Sequence, residues 1–159
     1  MGLIGDLNTV ATQVRCLAEL RRVVEATHAA IVLSTTWRLD REMRAYLVSH
    51  LEPFATVAGD TPDGADRGAE VRAWLASPTN AQHGRSFVIL DDGHAEAFAR
   101  AGLSDRFVQT AMRLPDEPTA EGLTAAKADE AIAVLARPLL GPLPGLDGVR
   151  VESMSQYLT

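Results

Sequence analysis

Two short apolar runs limit what this chain can fold into. Ala30-Ile31-Val32-Leu33 and Ser86-Phe87-Val88-Ile89-Leu90 each empty into polar residues, Ser34-Thr35-Thr36 in one case and Asp91-Asp92 in the other. A strand apolar at consecutive positions is covered on both faces, as in a parallel sheet sheathed by helices. The segments between them supply helices. Val10, Val14, Leu17 and Val24 recur at helical spacing, Asp40 can cap a segment carrying Met43, Leu47 and Leu51, and a third carries Val71, Trp74 and Leu75. Phe54 to Ala58 reads as another strand, as do Phe107-Val108-Gln109 and, briefly, Leu3-Ile4. A short helix through Phe98 and one starting near Thr124, with Ile132 and Leu135 inward, complete the series. Strands alternating with helices predict an α/β, Rossmann-like fold: three layers around a doubly wound, mainly parallel sheet.

Size and charge narrow the function classes. With 159 residues, 47% of them hydrophobic, the chain has one domain's worth of core. Residues 1–137 are expected to form it; the Pro- and Gly-punctuated residues 138–159 read as a peripheral tail. A net charge of −6 argues against strong non-specific nucleic-acid binding and against anionic membranes, while leaving room for a local phosphate site. The single cysteine, Cys16, cannot form an intramolecular disulfide, and a reducing, cytoplasmic setting is expected. No run approaches the roughly 20 apolar residues that span a bilayer, and the N-terminus lacks a signal-peptide pattern. His28, His50, His83 and His94 lack metal-ligand spacing. The arginines at 15, 21 and 22 and at 38, 41 and 44 read as solvated helical faces.

In open α/β sheets, ligands sit beyond the carboxyl ends of the strands. Asp91-Asp92 lies at such an end. Two adjacent carboxylates repel, and a hard cation such as Mg²⁺ relieves that repulsion; alternatively, Asp91-Asp92-Gly93 is simply a turn. Ser34-Thr35-Thr36-Trp37-Arg38 offers hydroxyls, backbone N–H groups and a guanidinium to phosphate oxygens, or else is a hydroxyl-rich turn with Trp37 in the core. Asp6 stands just past the first apolar segment, where a carboxylate can attack phosphorus or cap the helix that follows.

These segments together resemble a known family. Ile31-Val32-Leu33-Ser34-Thr35-Thr36-Trp37-Arg38 looks like the "IVLSSSWR" signature of HAD-like (haloacid-dehalogenase-type) domains associated with Swiss-Army-Knife RNA repair proteins. Arg67 to Leu75 is similar to that family's "R-x-x-E-I-x-x-W-L" helix, and Ser86 to Asp92 to its "FVVLDD" strand. Phe107-Val108-Gln109-Thr110 and Gly122-Leu123-Thr124 resemble its late "FVQT…GLT" segment. The matches run in order from about residue 16 to residue 137.

The resemblance implies a HAD-type sheet with a minimal cap or none, and Mg²⁺-dependent phosphatase chemistry on a phosphorylated small molecule or nucleic-acid end. Ser34 would be the phosphate-binding hydroxyl of the second motif, with Thr35 its neighbour and Arg38 close by; Arg67 would be the third-motif cation, where the family usually has lysine. Asp91 and Asp92 match the acidic fourth motif that holds the metal. The first motif departs from D-x-D-G-[TV]. In one register Asp6-Leu7-Asn8-Thr9-Val10 keeps the nucleophile and metal ligand Asp6 but puts Asn8 where the general acid belongs. Asparagine cannot protonate a leaving group, and acid–base catalysis contributes roughly 10²–10⁴-fold. In the other register Gly5-Asp6-Leu7-Asn8 aligns with the family's "G-V-L-N", and Gly2 and Ile4 occupy both aspartate positions. A degenerate relative, or a chain whose true start lies upstream, accounts for either. A catalytically impaired binding module linked to RNA-end processing is therefore the alternative to an enzyme.

Overall fold

The computed structural model describes residues 7–80, 86–110 and 122–139, with side chains in the first helix from residue 13 onward. The Leu3-Ile4 strand, Asp6 and the tail from residue 140 lie outside the described residues. In chain order the elements are α1 (Leu7–Thr27), β1 (Ile31–Leu33), α2 (Arg41–Leu51), β2 (Val57–Asp60), α3 (Arg67–Ala76), β3 (Ile89–Asp91), α4 (Ala95–Arg100), β4 (Phe107–Gln109) and α5 (Ala125–Leu135). Short 3-10 turns precede α2 and β4 and follow α3.

The strands form two parallel pairs. β1 runs beside β2 with Val32 opposite Gly59 and Leu33 opposite Asp60; β3 runs beside β4 with Leu90 opposite Val108. Among the described residues no ladder joins β1 to β3. This is a mixed α/β fold with short parallel sheets, as the alternating pattern predicts.

β3 shows why its sequence is apolar throughout. Ile89 belongs to a cluster with Val71, Trp74 and Leu75 of α3 and Phe98 of α4, against which Val32 of β1 also packs. The flanking Val88 and Leu90 pack on a second cluster, formed by Val23 of α1, Leu123, and Ala128 and Ala131 of α5. Side chains alternate faces along a strand, so one strand feeds two cores. Helix packing is close on both sides. A Cβ at Gly68 of α3 would lie 2.8 Å from the carbonyl carbon of Ala97 and 2.9 Å from Ala101 Cβ, so only glycine lets α3 and α4 meet there. At Gly122, whose φ is +70°, a Cβ would stand 2.5 Å from Cys16 Sγ of α1.

Two boundaries differ from the sequence pattern. The second strand is Val57–Asp60 rather than 54–58, because the amides of Phe54 and Ala55 still donate to the Leu51 carbonyl and prolong the end of α2. Gly59 and Asp60, beyond the expected end of that strand, are part of it. The β3 strand begins at Ile89 rather than Ser86, whose hydroxyl donates instead to the Leu135 carbonyl at 2.6 Å. The cap on α2 is as expected, and α5 begins beside Thr124 as expected. Asp40 accepts from the amides of Glu42 and Met43, and Thr124 from that of Lys127.

Candidate active site

Residues after β1, β2 and β3 are tied to the first turn of α3 by one chain of polar contacts. It begins at Arg38, in the 3-10 turn after β1, whose side chain is 1% exposed. Its Nε donates to the Thr61 carbonyl, Nη1 to the carbonyls of Ser34 and Thr35, and Nη2 to that of Pro62, at 2.8–3.2 Å. Nη2 also pairs with Glu70 Oε1 at 3.2 Å. Four of these contacts are hydrogen bonds and the fifth is an ion pair, so each guanidinium nitrogen faces a protein acceptor. Arg38 thus clamps the loops after β1 and β2, with its guanidinium turned to protein acceptors, where the sequence reading had it as a phosphate ligand. Thr35 is partly committed too: its hydroxyl accepts from the Trp37 amide and caps the same turn.

Glu70 carries the contacts onward. It is buried, and while Oε1 meets Arg38 and the Gly64 amide, Oε2 accepts from Arg67 Nη1 at 3.0 Å. Arg67 opens α3, beside the N-cap Asp66, and its Nε lies 3.9 Å from Asp91 Oδ2, beyond hydrogen-bond reach. A cation in the first turn opposes the helix dipole. The local sequence therefore places Arg67 where helix stability alone would not.

Asp91 ends β3. Its Oδ1 accepts from the Gly93 amide at 2.9 Å, its backbone carbonyl from Thr110, and its side chain is 18% exposed. Desolvation raises its pKa from the ordinary 3.8, against the lowering effects of the Gly93 amide, His94 and Arg67. Asp92 points to solvent, and Gln109 donates to its carbonyl at 3.3 Å. His94 caps α4 with a left-handed backbone, φ +63°, and makes no side-chain capping bond. Among the described residues, no group of three His, Cys, Asp or Glu side chains is placed to hold a metal ion.

Most side chains in this region are satisfied, and two atoms are not. Among the described residues, the buried side-chain polar atoms without a hydrogen-bond partner are Ser34 Oγ and Arg67 Nε. Buried polar groups are nearly always paired, so orphans mark places that a missing partner would fill. Ser34 and Arg67 are also two of the residues singled out from sequence.

A model of the HAD domain in Swiss Army Knife RNA repair proteins matches residues 5–128. The chain belongs to that family. The match takes in Ser34, Arg67, Asp91 and Asp92 and ends within α5, so the HAD domain covers every described element up to that helix. No curated protein and no solved structure matches the chain.

Asn8 lies in the first turn of α1 rather than past the end of a described strand, and Asp6 falls outside the described residues. Arg21 pairs with Glu25, Arg22 with Glu19 and Asp129, and Arg44 with Asp60, so these cations are occupied by carboxylates. None of the described helices is long and apolar enough to cross a membrane. The residue that sequence reasoning missed is Glu70. In Arg67, Glu70, Val71, Trp74 and Leu75 the spacing is i, i+3, i+4, i+7, i+8, which puts a carboxylate on the buried stripe of α3. That misplacement was the available signal.

Proposed function

We propose that this HAD domain is a phosphohydrolase acting on a phosphate monoester, with its site at the carboxyl edge of a three-layer, doubly wound parallel sheet and little or no cap. The reading is carried by Ser34 Oγ and Arg67 Nε, two buried donors lacking partners among the described residues, the second 3.9 Å from a partly desolvated carboxylate. An oxyanion would satisfy both. Asp91 and Asp92 fit Mg²⁺ in donor chemistry, because this ion commonly takes one or two carboxylates and completes its shell with substrate phosphate and water. Bound there, it would neutralise charge on the phosphoryl oxygens.

In this reading Ser34 and Arg67 orient the phosphoryl group. The Asp6 carboxylate attacks phosphorus, forming a P–O bond as the ester P–O bond breaks and the alcohol leaves with its electron pair. Water then hydrolyses the aspartyl phosphate to inorganic phosphate and free Asp6. The departing alkoxide needs a proton, which Asn8 cannot supply, so solvent or the substrate provides it and turnover is slow. Hydrolysis of p-nitrophenyl phosphate with Mg²⁺, comparing wild type with Asp6→Asn and Ser34→Ala, tests the scheme. Turnover abolished by Asp6→Asn and strongly reduced by Ser34→Ala is expected; equal turnover in wild type and Asp6→Asn removes Asp6 from the reaction.

A second reading, a phosphate-binding module without turnover, is favoured by one observation: Asn8 is already inside α1. It predicts no hydrolysis by wild type, but phosphate binding that Arg67→Ala weakens.

A further inference from the structure

We infer that Glu70 is a positioning residue that holds Arg67 away from Asp91 and so keeps an anion subsite open between them. This rests on the oxyanion reading of Ser34 and Arg67. An arginine beside a partly desolvated carboxylate gains most by closing on it, because a charge-assisted bond at about 2.8 Å is far stronger than a loose pair. Arg67 Nε has not closed: it stands 3.9 Å from Asp91 Oδ2 and has no hydrogen-bond partner. Its Nη1 is held instead by Glu70 Oε2 at 3.0 Å.

Glu70 is itself fixed. Oε1 is engaged by Arg38 Nη2 at 3.2 Å and by the Gly64 amide at 3.3 Å, and Arg38 is anchored to four backbone carbonyls. Gly64 permits the approach, since a Cβ there would stand 3.1 Å from Glu70 Cγ. The carboxylate thus has one oxygen pinned to the scaffold and the other holding Arg67 by its Nη1 edge. The Nε edge is left for a ligand, and Asp91 Oδ2 is left unconsumed.

The test is a double-mutant cycle read by calorimetric titration with inorganic phosphate, each variant first checked for cooperative unfolding. Glu70→Gln weakens Nη1 retention and lets Arg67 fall onto Asp91, so phosphate binding drops by roughly ten- to a hundredfold, the worth of one hydrogen bond to a charged group. Asp91→Asn removes the competing carboxylate. In the wild-type background it improves phosphate binding modestly by deleting a like charge; in the Glu70→Gln background it restores most of what was lost. A larger gain in the second background is the signature of positioning, because general loosening of the fold would not be rescued at Asp91. Equal gains in both backgrounds, or Glu70→Gln binding phosphate like wild type, overturn the inference alone. Absence of phosphate binding by wild type overturns the oxyanion reading and the inference with it. Should Glu70→Gln not fold, Glu70→Asp keeps the charge facing Arg38 but withdraws the carboxylate by one methylene, and the same cycle applies.

Discussion

At Asp91 the chain accepts a desolvated carboxylate whose pKa is raised. The consequence for stability has a definite sign. In the unfolded chain the group titrates near 3.8 and in the folded chain at a higher pH, so its contribution is fully present below 3.8 and is lost as pH rises through the folded value. Asp91→Asn removes that loss while still offering an oxygen to the Gly93 amide. Its thermal midpoint should exceed that of wild type at neutral pH, with the gap closing on acidification below 3.8. Thermal melts across that range decide it, and a midpoint at or below wild type at pH 7 contradicts the desolvation argument. Such a gain would place Asp91 among residues kept for function at a cost to stability. Asp66 behaves in the opposite sense: the Ala69 amide holds its carboxyl below the ordinary value, so its support for the start of α3 fades as pH falls through that lowered value.

The elements pack with little slack, and the tightest point is the α3–α4 crossing. Gly68→Ala should cost about 1–3 kcal/mol, the usual range for forcing atoms into a filled core, measured as a lower denaturation midpoint. An unchanged midpoint would mean the two helices can separate at Ala97. The end of α4 follows from sequence more directly. Gly102 has φ +71°, the Leu103 amide reaches back to the Phe98 carbonyl and the Gly102 amide to that of Ala99, and both Phe98 and Leu103 are fully buried. This is a left-handed helix stop closed by an apolar contact. Phe98→Ala, at a site with no exposure, should cost about 3–5 kcal/mol.

Helices with clear periodicity were legible in the sequence, α2 with its capping Asp40 above all. The edges of β2 and β3 were not. Which residues pair is settled by a partner strand far along the chain, and the Leu51 carbonyl captured Phe54 and Ala55 before any ladder began. At the site, motif order in the sequence was enough to single out Ser34, Arg67 and Asp91 as candidates. The fate of Arg38 was not legible, since the five acceptors around one guanidinium come from three separate stretches of chain.

The whole molecule carries a charge of −6, and its arginines at 21, 22 and 44 are engaged by carboxylates. Long nucleic acids should therefore bind weakly, and any affinity should depend on a terminal phosphate. Oligoribonucleotides differing only in a phosphate or hydroxyl end, titrated at constant ionic strength, should separate in favour of the phosphate; equal binding would count against an end-recognition role.

The two strand pairs meet through side chains, with no ladder between β1 and β3 among the described residues. Ser34 follows β1 of one pair, and Asp91, which Arg67 approaches to 3.9 Å, ends β3 of the other. An oxyanion held by both Ser34 and Arg67 would act as a rivet through two plates. Amide exchange in Ile31–Leu33 and Ile89–Asp91 should then slow together when phosphate is added, although no ladder joins the two strands among the described residues.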